Sequence, residues 1–529
     1  MVIGGGPAGL TAAYELARHG QASTVLERLP GVGGLSRTEE YKGYRFDIGG
    51  HRFFTRVGVV ARMWREILGD EFLVRPRLSR IYYQGYFFQY PLDPLDALLG
   101  LGLWESLRCM ASYGAAKLRK PGPQPDLESW LIFRFGMRLY QKFFESYTEK
   151  VWGVPCREIA AEWAAQRIRG LSIKVLVEQT AKSVLEKLGF ARRGERPKTL
   201  IEEFEYPRLG PGQMWTATQR YLEDHGTQVR CGEQVTRIRW EPGRVLSVET
   251  VQGSFAGDHF LSTMPIRELI EALDPAPPAS LRAAAAQFNY RDFLTVALIL
   301  KVPRSFPDNW IYIHEPAVKV GRIQNYKNWS PDMVPDPAMT CLGMEYFCFE
   351  GDGLWSASDD ELIAQATREL EQLGLAKAGD VVDGRVLRVP KAYPVYDGAY
   401  KQGLATVREF LATVPNLQLI GRNGMHRYNN QDHSMLTGML AARNILGLGK
   451  FDLWQVNADE DYHEDGFRVS SDEVAALEAT QPATPELVRL GSAENGKPPP
   501  RDGGEGQDHG GQREPIAARG RFGGPGLAE

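Results

Sequence analysis

The first nine residues constrain this chain more than any other stretch. Val2 and Ile3 run into Gly4, Gly6 and Gly9 at G-x-G-x-x-G spacing, an amphipathic segment follows over residues 10–19, and Gly20 stops it. Thr24-Val25-Leu26 then reads as a second strand ending in Glu27. Strand, tight turn, helix, strand and acid in this order predict a dinucleotide-binding unit. Gly4 permits the turn, Gly6 lets backbone approach a pyrophosphate, and Gly9 lets the helix pack close to the sheet. The helix start offers unpaired N–H groups and partial positive charge to phosphates, and Glu27 can accept hydrogen bonds from ribose hydroxyls. An ordinary strand–helix turn would explain the glycines but not the spaced acid. Only three residues precede Gly4, so either the first strand is stunted or translation starts upstream of Met1; the second is the favoured expectation.

A second glycine-rich turn, Gly31-Val32-Gly33-Gly34, leads to Arg37 and Thr38. It can fold over the same pyrophosphate and add a bidentate cation, whereas a solvated surface loop is the plain alternative. With the first motif it resembles the FAD-binding start of the superfamily of amine oxidases, protoporphyrinogen oxidases, phytoene desaturases and UDP-galactopyranose mutases. The resemblance spans residues 1 to about 450 and implies FAD as cofactor.

At 529 residues the chain should hold two or more domains. Net charge is −4, which gives no reason to expect nucleic acid as a partner. Cys109, Cys156, Cys231, Cys341 and Cys348 are odd in number and unpaired in spacing, so neither a disulfide scaffold nor a metal site is expected and a reducing, cytoplasmic setting is. Neither a signal segment nor an apolar run long enough to span a bilayer is evident.

Strand-like, dinucleotide-type patterns occupy residues 1–80, resume at 205–270 and return at 390–455. Helical and second-sheet patterns fill 81–204 and 271–389: an aromatic hairpin at 81–91, helices at 95–118, 127–147 and 173–188, a basic loop at 192–198, and strands at 293–302 and 342–350. The expectation is an α/β protein, a discontinuous Rossmann-like FAD-binding domain with an inserted α+β substrate domain. Residues 475–529 read as a disordered tail, rich in Gly, Pro, Arg and Asp.

Several motifs carry chemistry. Gly49-Gly50-His51 can lay backbone against a flat ring and hold His51 beside it as proton carrier or donor; a tight turn with a structural histidine is the alternative. It resembles the glycine-rich histidine loop of the mutases, with Phe54 where they carry a second histidine. Tyr147-Thr148-Glu149-Lys150-Val151-Trp152-Gly153 can stack a base and contact phosphate, or form a helix end with a buried Trp; the resemblance implies that Tyr147 and Trp152 bind substrate. Arg167 lies one residue out of register with the family's substrate-phosphate arginine. Arg322 and Tyr393 are further candidates for a sugar-phosphate pocket, against a solvated hairpin and a packing tyrosine. Gly421-Arg422 ends a strand, and a polar loop leads to a helix expected near His433-Ser434-Met435, whose N–H groups suit a flavin pyrimidine edge. This resembles the superfamily's C-terminal FAD motif, and Tyr428 and Asp432 have the mutase-type spacing. Gly33, Gly34, Arg37, Gly50 and Val235 complete the cofactor set that the resemblance implies, Val235 at the adenine.

Three functions compete. One is mutase-like chemistry on a nucleotide- or lipid-phosphate-linked sugar, in which the resemblance implies attack of reduced flavin N5 on the anomeric carbon with no net redox. The second is an oxidase or desaturase of an amine, porphyrinogen or polyene, with residues 82–90 and 95–103 facing a lipid surface. The third is FAD binding without catalysis. The first two require a small-molecule substrate and an external electron donor or acceptor, and the sequence leans to the first.

Overall fold

Val2–Ile3 is a strand of only two residues, yet it occupies the centre of a five-stranded parallel sheet. The order is Leu417–Leu419, Phe260–Ser262, Val2–Ile3, Thr24–Glu27, Gln228–Cys231. So short a centre holds because its flanks continue the ladder: Leu261 N–H donates to Met1 O at 2.9 Å and Gly4 N–H to Leu26 O at 2.8 Å. Three distant stretches of chain thus build one Rossmann-like sheet. The protein is described here from a computed structural model covering residues 1–90, 100–118, 124–159, 203–397 and 400–457, with residues 96, 122 and 161. Arg167, the helix expected at 173–188, the loop at 192–198 and the tail at 475–529 lie outside these described residues.

Helices Pro7–Arg18, Gly212–Asp224 and Gln431–Ile445 pack beside this sheet. The closing helix, Gln431–Ile445, is buried from His433 through Arg443, as a helix must be when it is surrounded on all sides. It crosses the first helix at close range, and Arg443 Nε donates to Glu15 Oε1 at 2.6 Å with both side chains almost wholly enclosed. The closing helix begins at Gln431, two residues before the expected start, because Asn430 caps it in a box with His433.

A second, seven-stranded sheet runs in the order Val381–Pro394, Tyr290–Leu300, Thr340–Cys348, Arg322–Asn325, Trp310–Ile313, Ser79–Tyr83, Tyr86–Gln89. All neighbours are antiparallel except Trp310–Ile313 with Ser79–Tyr83. Alternation sorts its side chains: Leu294, Val296, Leu298 and Leu300 enter the core under helix Asp359–Gln372, while Phe293, Ala297 and Ile299 face the other side. Tyr393 sits inside the strand Val381–Pro394, one residue from its end. The helix expected over 127–147 is broken at Gly136 (φ +81°) and resumes through a π-turn at Tyr140–Glu145 before Ser146–Trp152. All five cysteines are free. Among the described residues no helix is long and apolar enough to cross a membrane, and none of the side-chain groups forms a metal cluster.

Candidate active site

A cavity of about 680 Å³ runs from the first glycine turn to the inner edge of the second sheet. Its first end is built almost wholly from backbone. The first helix starts at Gly6 with Pro7 at its first position and has no side-chain cap, which leaves its N–H groups for a ligand. Gly5 N–H donates to Glu27 Oε2 at 2.7 Å and Leu29 N–H to Glu27 Oε1 at 2.8 Å, so the acid is held rigid at the cavity wall. The second turn meets the first face to face: a Cβ at Gly34 would lie 3.1 Å from Gly6 Cα. Arg37 is fixed beside them by Gly34 O at 3.0 Å and Glu39 at 2.5 Å. Gly33 anchors the turn outside the lining, and Val235 lines the far side near Leu29.

The other end gathers Gly50 and His51 with Arg322, Tyr393, Arg422, Tyr428, Asp432, His433 and Ser434. His51 Nε2 donates to Ile48 O at 2.8 Å, and Nδ1 lies 3.5 Å from Ser36 Oγ. Burial pushes its pKa down to about 4, and Arg422 and Arg322 reinforce this. The ring is therefore neutral at pH 7, with its one N–H engaged. Arg322 pairs with the fully buried Glu345, which also accepts from Gln324. Tyr428 stacks on Tyr393 at 5.6 Å and 22°, and the Arg422 guanidinium lies 4.5 Å from the Tyr428 ring and 5.6 Å from that of Tyr393. Asp432 accepts from Thr55 Oγ1 at 3.2 Å and from His433 N–H at 2.9 Å.

Not every candidate reaches the cavity. Tyr147 is stacked on His314 at 4.2 Å, and Trp152 is packed among Leu127, Trp130 and Cys156. Neither lines the cavity; Trp152 touches it through the edge of Tyr393 at 6.5 Å. Met435 is a core residue whose sulfur accepts from Trp64 Nε1 at 3.2 Å. Conversely, the sequence reading passed over Gln431, Asn423, Lys391 and Glu268. Both polar atoms of the Gln431 amide and Oδ1 of Asn423 are buried at the cavity without a partner among the described residues, as groups reserved for a ligand are. Position at the helix start was the available signal for Gln431. Nothing local joins Glu268 to Lys391, which pair at 2.5 Å across the wall.

The cavity wall carries eight basic against four acidic side chains, and so favours an anionic ligand. Paired glycine turns, an open helix start, a ribose-type acid and orphaned amides together fit a dinucleotide with a polar ring. The fold and site define a flavoprotein. The sequence matches the family model of flavin containing amine oxidoreductases over residues 7–446, and the chain belongs to that family. FAD is its cofactor, and it is a flavin-dependent enzyme, an oxidoreductase or mutase. Its structure is similar to that of a reduced UDP-galactopyranose mutase, at 22% identity and TM-score 0.74, over 85% of this chain and 96% of that one. A protein from Exiguobacterium sp. 255-15 named as a protoporphyrinogen oxidase gives 19% and 0.64, over 84% and 97%. Putrescine oxidase bound to putrescine gives 16% and 0.57, over 84% and 98%. No curated protein sequence matches. These likenesses concern the fold.

The fold has an acid-sensitive component. His51 and His426 are held near pKa 4 and His314 near 3, each chiefly by burial. An unfolded histidine titrates near 6.5, so between that pH and about 4 the unfolded chain binds more protons and stability falls as pH falls. Each histidine contributes a slope of up to about 1.4 kcal/mol per pH unit. Unfolding midpoints should drop from pH 6.5 to 4, and His426→Phe should flatten that drop. A parallel decline in the variant and the parent would refute the assignment.

Proposed function

We propose that the enzyme acts on a sugar carrying phosphate, linked to a nucleotide or a lipid, by mutase-like chemistry with no net redox. The observation that carries this is the wall beside the Gly49-Gly50-His51 turn, where Arg422 covers Tyr428 and Tyr393 and Arg322 stands close by. The Arg422 guanidinium repels a protonated amine and suits phosphate oxygens, and Arg322, its charge offset by Glu345, can still donate N–H groups. The tyrosines offer flat faces and hydroxyls for a sugar ring; burial pushes the Tyr393 phenol up to about 12, so it stays a neutral donor.

The residues of this chain would divide the work. Gly4, Gly6, Gly9, Gly34, Arg37 and the first helix start would hold the FAD pyrophosphate, and Glu27 and Val235 its adenosine. His433, Ser434 and Gln431 would meet the flavin's pyrimidine edge. Bound and reduced, FAD supplies the nucleophile. His51, neutral and tethered to Ile48, would keep its loop flat against the ring, and Arg322 and Arg422 would orient the phosphate. Trp152 would act from behind the wall by bracing Tyr393, and Tyr147, packed on Tyr312 and His314, would not stack on the substrate. Tyr428 and Asp432 would position the sugar, and a soluble or membrane-surface electron donor would set the redox state.

The test is titration with UDP, dTDP and polyprenyl-phosphate sugars in both flavin states, with turnover scored by product isomer. Arg422→Ala should weaken the binding of a phosphate-bearing ligand by about 10- to 100-fold, the value of one charge-assisted contact of about 1.5–3 kcal/mol. Oxygen uptake with an amine, and no binding of any phosphate-linked sugar in either state, would move the protein to the oxidase reading.

A further inference from the structure

The helix Leu103–Leu118 has one face inside the protein and one outside. Inward, Ser106 and Cys109 are buried, and Glu105 accepts from Arg138 and pairs with Lys142 at 3.7 Å. Outward, Trp104, Leu107, Met110 and Leu118 are 68, 48, 60 and 89% exposed. Trp104, Leu107, Ala111, Ala115 and Leu118 fall within about 80° of the helix circumference at 3.6 residues per turn. They form a continuous apolar stripe with Arg108 along one side and Met110 and Lys117 along the other.

Charge singles out what this face can meet. The described cations at this face are Arg108, Lys117 and Arg134, in a chain of net charge −4. The basic groups lie among aromatic rings: Arg108 is 5.1 Å from the Trp104 ring, Lys117 4.3 Å from Phe133 and Arg134 4.2 Å from Trp130. An exposed indole and aliphatic stripe edged by cations on long stems matches the interface of an anionic bilayer, where the stripe enters the acyl boundary and the cations reach headgroup phosphates. A second copy would bring an equally basic surface against it.

We propose that the protein docks peripherally on an anionic lipid bilayer through this outward face. The aromatic run 82–90, expected to face lipid in the oxidase reading, is not the docking element: Tyr82, Tyr83 and Phe88 are buried, and Tyr86 and Tyr90 are only 37% and 38% exposed. The hairpin joins the two regions instead: Leu101, at the foot of the helix, packs in one cluster with Tyr83, Phe88 and Tyr312. The inference goes beyond the sugar reading and stands without it; docking would favour a lipid-linked over a nucleotide-linked substrate.

The experiment is co-sedimentation of the full-length, flavin-loaded protein with phosphatidylcholine vesicles, with and without phosphatidylglycerol, and with no substrate present. Binding is expected only with phosphatidylglycerol and should weaken as salt rises. A Trp104→Ser/Leu107→Ser variant should lose at least about tenfold in partitioning, as should Arg108→Glu/Lys117→Glu, because a few buried side chains and surface cations supply most of such binding. Unaltered flavin absorbance and unfolding midpoint would show both variants folded. The proposal falls if the parent stays in the supernatant with anionic vesicles, if the serine variant binds as well as the parent, or if the serine change instead dissolves a dimer seen by sedimentation velocity. Failure here with sugar binding intact would leave a soluble nucleotide carrier as the substrate form.

Discussion

Gly9→Ala is expected to yield a folded protein that purifies without its yellow colour. A Cβ at Gly9 would lie 2.0 Å from the carbonyl oxygen of Gly4 and 3.1 Å from Val2 Cγ1. The first neighbour is backbone of the turn itself, so no side-chain rotation relieves the contact. The helix start must move away from the sheet, and the N–H groups directed at the pyrophosphate move with it. Overpacking of this kind costs about 1–3 kcal/mol or more, which at the upper end weakens FAD by about 100-fold. Gly31→Ala is the matched control, because a Cβ there meets nothing within 4 Å. Flavin absorbance and an FAD titration read the result. A Gly9→Ala protein that binds FAD as the parent does would show that the turn does not hold the cofactor.

Glu15→Ala should have the largest effect on stability. Glu15 and Arg443 are 1% and 0% exposed in their side chains and join the first helix to the closing helix, across 428 residues of sequence. Removing the carboxylate takes from the enclosed guanidinium its partner Glu15, and breaking such a buried pair costs about 3–5 kcal/mol. Replacing the pair together, as Glu15→Leu/Arg443→Met, should recover most of that loss, since two apolar chains of similar volume need no counter-charge. Chemical unfolding of both variants with and without added FAD is the measurement. Both helices reach the cavity, so FAD should stabilise the single variant less than the parent. An unchanged midpoint for Glu15→Ala would sink this account.

The Rossmann-like unit was readable because its signals are local. Gly4, Gly6 and Gly9 are spaced by the geometry of one turn, Glu27 sits where the next strand ends, and Gly421-Arg422 closes a strand before a helix. Each rests on backbone conformations that neighbouring residues decide. Alternation likewise predicted the strands at 293–302 and 342–350. The helix at Gly58–Leu68 escaped notice, because its start has no capping side chain and its flanks read as loop. The expected helix over 127–147 failed at Gly136, where tertiary packing exploits a positive φ that composition does not announce.

What the chain determines by itself is thus the cofactor and the fold class: a phosphate-binding turn needs glycines and an acid at fixed offsets, and those offsets are written in order along the chain. What only the tertiary structure decided is which side chains share the cavity. Tyr147 and Trp152 have the residue types of a base-stacking pair, but packing against His314 and Leu127 leaves both outside the cavity lining. Gln431 and Asn423, unremarkable in sequence, are brought to the wall with polar atoms to spare. Lys391 meets Glu268, and Arg443 meets Glu15, only because strands and helices far apart in sequence are neighbours in space. Local spacing encodes backbone geometry; the partner of a buried charge is set by the fold.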